Sequence, residues 1–348
     1  LVSRYANPLI TWEESKQLNL GLDIRFLDAL DINIDVYRNT RSNILTGRTF
    51  IPGTMGLQAA VNANTNKAQN EGVDFAAVYN KSFGSGWSAQ LRGNFTYAKS
   101  KYLAYEEPIY EKEWWKSRLG YSIHQPWGYI AERLFVDDSE VANSPSQQFG
   151  STNVAGDIKY KDVNGDGLIT TLDQVPIGFP TIPEIIYGGG FSIGYKNFDI
   201  SAFFQGSARS SFWTGGVVDG VTGPANVQPF VGGKQILKAF SDSHFSMENQ
   251  DLYALWPRLS TQNQANNTQL STWWLNNGAF VRLKQAEIGY SLPDRLAKRL
   301  YTDKLRIYAS GTNLFLISGF KLWDIEMGGN GLGYPLQRVV NFGINLSF

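Results

Sequence analysis

The chain has 348 residues, with 31 Lys+Arg balanced by 31 Asp+Glu and no cysteine. That balance, without a clustered Arg stripe, argues against nucleic acid as a partner. Lack of cysteine removes disulfide frameworks and thiolate metal sites. Charged residues make up 18%, aromatics 14%, and there are 35 Gly, which points to aromatic-faced strands with glycine kinks rather than helices. No run of about 18 apolar residues occurs, so no transmembrane helix is expected, although hydropathy is uninformative for strands whose two faces alternate and cancel. The opening Leu1-Val2-Ser3-Arg4 has no Met, basic region or apolar run, so it does not read as a signal peptide. The chain reads as a fragment that keeps its native C-terminus.

About nine segments alternate over the roughly 9–11 residues that cross an outer membrane. The first sets Leu18, Leu20, Leu22, Ile24 and Phe26 against Asn19, Gly21, Asp23 and Arg25. The second carries Ile32, Ile34 and Val36, and the third Val73, Phe75, Ala77 and Tyr79. The fourth sets Trp87, Ala89, Leu91, Gly93, Phe95 and Tyr97 against Gln90, Arg92, Asn94 and Thr96. The fifth runs from Ile185 to Tyr195, the sixth from Phe198 to Phe204, the seventh from Phe280 to Tyr290 and the eighth from Leu305 to Leu316. The ninth ends the chain, with Phe342, Ile344, Leu346 and Phe348 on one side and Asn341, Gly343, Asn345 and Ser347 on the other.

The connections alternate as well. Asp28–Asp31, Gly84–Gly86 and Tyr195–Asn197 are short, and Pro293–Asp303 is intermediate, with room for a helical turn or two. Thr40–Gln69, Ser100–Glu184, Ser207–Gly278 and Gly319–Gln337 are long. Barrels of this kind have short periplasmic turns and long external loops. The parity holds throughout, with the C-terminus on the short-turn side. An odd count of strands cannot close alone, because unpaired edges in hydrocarbon leave rows of unsatisfied backbone groups. The chain is therefore expected to pair with a preceding portion.

The final strand resembles the terminal strand of outer-membrane β-barrels, with Asn341, Gly343, Leu346 and Phe348 in the places of their assembly signal. More specific stretches follow in order: Ala6-Asn7-Pro8, Thr11-Trp12-Glu13, Gly156-Asp157-Ile158-Lys159-Tyr160, Pro176-Ile177-Gly178-Phe179-Pro180, Phe203-Phe204-Gln205-Gly206, Phe280-Val281-Arg282-Leu283-Lys284, Gly289-Tyr290-Ser291-Leu292-Pro293 and Gly311-Thr312-Asn313-Leu314-Phe315. Together they resemble the C-terminal part of SusC-like TonB-dependent outer-membrane transporters. The resemblance implies an all-β chain, residues 1–348 forming the C-terminal portion of a large antiparallel transmembrane β-barrel of about 22 strands with a plugged lumen and long extracellular loops. Plug and N-terminal strands would lie upstream. It implies no enzyme, but energy-coupled import of oligosaccharides in a Gram-negative outer membrane, with a SusD-like lipoprotein and the TonB complex as partners. The alternative cargo is oligopeptide. A soluble β-sandwich adhesin or binding module is the rival of a different class.

Asp162-x-Asn164-x-Asp166-Gly167, with the Leu168 carbonyl and Asp173 at the twelfth place, matches a calcium loop of EF-hand type. Asp stands where Glu is usual, and an Asx-rich turn without metal explains the same residues. No other cofactor is expected. Among the loop aromatics, Trp114, Trp115, Trp127 and Trp213 are the candidate ligand contacts, since flat rings stack on sugars and on peptide side chains alike. Packing in a loop core or an interfacial girdle is the competing role, and Trp274 is expected to be structural. By parity, Asn19, Asp23, Arg25, Arg92 and Asn94 face a lumen. With two histidines and no cysteine, little is available for catalysis.

Overall fold

Alternation at period two, carried through nine stretches of the chain, produces one sheet. A computed structural model of the protein describes residues 2, 5–48, 50–218 and 220–348; Leu1, Ser3 and Arg4 of the opening tetrapeptide lie outside the described residues. The strands are β1 (Glu14–Phe26), β2 (Leu30–Gly47), β3 (Asn62–Phe83), β4 (Trp87–Ala104), β5 (Ile185–Tyr195), β6 (Phe198–Ala208), β7 (Phe280–Ser291), β8 (Lys304–Ser318) and β9 (Val339–Ser347). They lie side by side in chain order, each antiparallel to its neighbours. Both edges, β1 and β9, are unpaired among the described residues. Among the described residues no helix is long and apolar enough to cross a membrane, which leaves crossing by strands open.

The register aligns the apolar positions of all nine strands on one face. One row runs Phe26, Leu30, Tyr79, Leu91, Phe191, Ala202, Ala286, Gly311, Val340. This face is bare: Leu20 is 74% exposed and Phe342 84%. An exposed apolar face nine strands wide far exceeds the few hundred Å² that soluble monomers tolerate. Among the described residues no second large sheet covers it, as the core of a soluble sandwich would require. Hydrocarbon is the solvent that such a face fits. Toward the short turns it ends in an aromatic run, Trp87 against Tyr195 with ring centroids 4.2 Å apart and Phe198 against Tyr290 at 4.5 Å. Aromatics of this kind collect at a membrane interface.

At the other end the strands outrun the sequence expectation. β2 continues to Gly47, β3 starts at Asn62 and β4 reaches Ala104, so the first long connection is 48–61 rather than Thr40–Gln69 and the second starts after 104. Backbone pairing persists where side chains have turned polar, because the hydrogen-bond ladder does not depend on the apolar pattern. Register shifts between Arg41 and Leu45 mark the irregular part of that extension. At the short-turn end, Gly86 has φ 85° and closes the β3–β4 hairpin by donating to the Phe83 carbonyl at 3.2 Å. Asp294–Arg299 forms the short helix foreseen between β7 and β8.

The long connections 105–184 and 209–279 fold together over one end of the sheet. They hold the molecule's apolar core: Tyr129, Leu134, Ile158, Tyr160, Ile169, Trp213, Phe240, Phe245, Trp256 and Trp274 are buried there. Trp256 stacks between Phe240 at 4.6 Å and Trp274 at 4.7 Å. Rings in these arrangements contribute about 0.5–1.5 kcal/mol per pair beyond burial.

Candidate functional site

Two surfaces are positioned to meet a ligand: the polar face of the sheet and the loop crown above it. On the polar face of β1 and β2 the side chains pair across strands. Arg25 Nε donates to Asp31 Oδ1 at 2.7 Å, Asn33 Nδ2 to Asp23 Oδ1 at 2.5 Å and Asn19 Nδ2 to Asp35 Oδ1 at 3.2 Å. These groups are exposed, so the pairs order the face more than they stabilise it. Further round, Arg306 of β8 reaches Asp199 of β6 and Glu287 of β7, tying three strands. Arg92 stacks on Phe203, its guanidinium carbon 4.7 Å from the ring centroid. The ring lies over bare backbone: a Cβ on Gly190 would come 2.7 Å from Phe203 Cδ2. The glycine run of β5 is thus a seat for a neighbouring ring, which fits the close-approach role of strand glycines.

Above the sheet, Arg282 fastens the last long connection. Its side chain is 3% exposed and pairs with Asp324 at 2.6 Å and with Glu326. A bulge at Lys284 brings its Nζ to 3.9 Å from Glu326 as well. Segment 319–338 is thereby held against β7. Asp157 does the same inside the crown. It is fully buried and accepts from Arg258 Nε at 2.6 Å, Asn267 Nδ2 at 2.7 Å and the Val154 N–H at 3.0 Å. Burial pushes the phenol of Tyr129 up to about 12 and that of Tyr160 higher still, so both stay neutral. Arg133, with help from Val136 N–H and Lys159, holds the Glu140 carboxyl down to about 2.

The four candidate tryptophans separate. Trp114 is 68% exposed and meets Trp115 edge to face at 5.9 Å. Trp115 is half-buried, its Nε1 donating to the Leu172 carbonyl at 3.0 Å. Trp127 is half-buried against Tyr121 at 5.4 Å, with Arg118 5.7 Å from its ring. Trp213, 8% exposed, belongs to the loop core, and so does Trp274, whose Nε1 donates to the Asn267 carbonyl at 2.9 Å. Of the four, Trp114 and Trp115 touch, and Trp115 straps the 162–173 loop, where Lys116 also donates to the Thr171 carbonyl.

Within that loop the side-chain oxygens serve backbone amides. Asp162 accepts from Gly165 N at 2.7 Å and Gly167 N at 2.8 Å, Asp166 from Leu168 N at 2.8 Å and Asn164 Nδ2 at 2.9 Å. Asp173 is fully buried and accepts from Val163 N at 2.9 Å and Thr170 N at 2.8 Å. Among the described residues no three acidic, His or Cys groups gather closely enough to hold an ion. Asp162, Asn164 and Asp166 thus shape an Asx-rich turn, and Asp173 ties its far end back to Val163. Sequence reasoning missed the Asp157 and Arg282 clusters. Asp157 and Arg258 are 101 residues apart, and nothing local signals such a pair.

A section of antiparallel wall with an apolar outer face, a charged inner face and a crown of folded loops at one end is the architecture of a transmembrane β-barrel. The family profile described as TonB dependent receptor-like, beta-barrel matches residues 2–314, and the chain belongs to that family. TonB-dependent receptor P3 of Formosa agariphila is 25% identical over 378 residues, covering 100% of this chain and 35% of its own length. TonB-dependent receptor SusC of Bacteroides thetaiotaomicron is 24% identical over 350 residues, covering 98% of this chain and 32% of its own. The fold is similar to that of the RagAB peptide importer in its closed-closed state, with TM-score 0.65 and 19% identity over 100% of this chain and 37% of that one. The chain spans about a third of the length of the curated relatives it matches. Membership in a receptor family sets aside the enzyme reading.

Proposed function

We propose that residues 1–348 form the C-terminal wall and external loops of a TonB-dependent importer that carries oligosaccharides across a Gram-negative outer membrane. The observation that carries this is the register that sorts nine strands into one apolar and one polar face. On this reading the bare edges β1 and β9 pair with the rest of the barrel, since open edges in lipid cost several kcal/mol per unsatisfied group. The long connections lie outside and the C-terminus in the periplasm. A SusD-like surface lipoprotein delivers cargo to the loop crown, and the TonB complex acts through a plug contributed by the rest of the protein. Trp114 with Trp115 beside it, and Trp127 against Tyr121, offer ring faces to sugars; Trp213 supports the crown from within.

The second reading is oligopeptide cargo, favoured by the likeness to an assembly described as a peptide importer. The test is purification of the whole transporter from outer membranes with its bound molecules identified by mass spectrometry. Bound glycan and a co-purifying lipoprotein are the expected result. Bound peptide would replace the first cargo by the second. Recovery as a lone water-soluble protein would overturn both.

A further inference from the structure

The outward face changes character above the apolar band on the β1–β4 side of the sheet. Across β1–β4 the last apolar row is Leu20, Val36, Val73, Tyr97. The next row toward the long connections is Leu18, Arg38, Glu71, Lys99, and the one after is Lys16, Thr40, Gln69, Lys101. Alternate residues of a strand share a face, so Lys16, Arg38, Lys99 and Lys101 stand on the lipid side, at its rim. One carboxylate serves them: Glu71 takes Arg38 Nε at 3.2 Å, Lys101 Nζ at 3.7 Å and Gln69 Nε2 at 2.7 Å. Lys16 and Lys99 are exposed, with no acidic partner among the described residues. One step further out on the same face stand one acid, Glu14, and one base, Lys67. On β6–β8 the same face ends on Ala208, Val281 and Ile317, without a cation.

We propose that Lys16, Arg38, Lys99 and Lys101 form a binding site for the phosphate groups of an anionic lipid in the leaflet at the long-connection end. The inference rests on the membrane-spanning reading above. Headgroup phosphates lie where the hydrocarbon band stops, and there these cations outnumber their acid. Glu71 orients two of them without neutralising the group. The rows below, Leu20 to Tyr97, receive the acyl chains. Each basic residue near an anionic surface strengthens binding about fivefold. At the opposite interface the cations Lys81 and Lys196 lie over the rings of Phe83 and Tyr195 instead of forming a cluster.

The experiment reconstitutes the whole transporter in nanodiscs of zwitterionic lipid containing a bis-phosphorylated glycolipid or its dephosphorylated form, and measures lipid retained per barrel by native mass spectrometry. The wild type retains the phosphorylated lipid selectively. Lys16→Gln with Lys99→Gln lowers that retention on the order of 25-fold. Lys196→Gln with Lys304→Gln, at the short-turn end, leaves it unchanged. Retention by the wild type falls steeply with added salt, which tests the site independently of any variant. Equal retention of both lipids, an unaffected Lys16/Lys99 variant, or full displacement by inorganic phosphate, which would mark a free-phosphate site, overturns the proposal. A wild type that fails to insert as a heat-modifiable barrel overturns the membrane reading instead.

Discussion

Asp157→Ala tests whether the loop crown is a folded unit in its own right. The carboxylate is fully buried and receives donors from Arg258, Asn267 and the Val154 backbone. Removing it leaves the Arg258 guanidinium, whose side chain is 23% exposed, with Gln264 as its remaining partner at 2.8 Å. Breaking one side of a buried ion pair costs about 3–5 kcal/mol. Partial exposure of Arg258 places the loss near the lower end, about 3 kcal/mol. That corresponds to an opening equilibrium on the order of a hundredfold more favourable. Hydrogen exchange of the whole transporter in detergent reads it directly. Phe135 N–H, which donates to the Asp157 carbonyl, and Ile158 N–H, which donates to Asn267 Oδ1, lose protection by roughly that factor, while amides of β6 and β7 keep theirs. Asp157→Asn, which keeps the shape and one acceptor, loses less. Unchanged protection at Phe135 and Ile158 would refute the reasoning, as would equal loss in the barrel strands.

Other consequences follow from single contacts. A Cβ on Gly343 would sit 2.4 Å from Tyr308 Cζ, so Gly343→Val forces the ring off the terminal strand; barrel melting falls by an amount typical of overpacking, about 1–3 kcal/mol, and Tyr308→Ala in the same chain restores part of it. Trp213→Ala costs about 3–5 kcal/mol of crown stability, whereas Trp114→Ala stays within about 0.5 kcal/mol and weakens ligand binding, measured by proteolysis and calorimetry. Glu140 titrates below its ordinary 4.5 because of Arg133, so its contribution is complete above 4.5 and lost as pH falls through about 2. Crown protection therefore declines between those values, and Glu140→Gln removes that part of the pH dependence.

The wall was legible in the chain and the crown was not, for a physical reason. A strand that separates lipid from a polar interior must alternate residue by residue, and Leu18–Phe26 or Phe342–Phe348 announce this within nine or seven positions. Connection parity came free with it. Strand ends escaped, because β2–β4 continue as polar ladders past the band and carry no periodic signal there. The crown is built from contacts such as Gln147 with Asn266 and Tyr160 with Asn266, over a hundred residues apart, which no local pattern encodes. Trp114 and Trp213 look alike in sequence and differ in exposure only through that packing. In segment 162–173 the spacing announces an Asx-rich loop, while the bonds by which Asp162 and Asp173 accept backbone amides depend on the backbone's path.

The central claim is the division of nine strands into a lipid face and an interior face, and the absence of cysteine in this chain makes it directly measurable. Single cysteines would be placed at Leu22 and Asp23, Phe95 and Asn94, Ile193 and Ser192, in the whole transporter in native outer membranes, with any cysteines elsewhere in it removed. The account predicts strict alternation: labels at Leu22, Phe95 and Ile193 are quenched by spin-labelled lipid, and those at Asp23, Asn94 and Ser192 are not. Equal quenching of both partners in each pair, or water-soluble maleimide reaching all six alike, would contradict it.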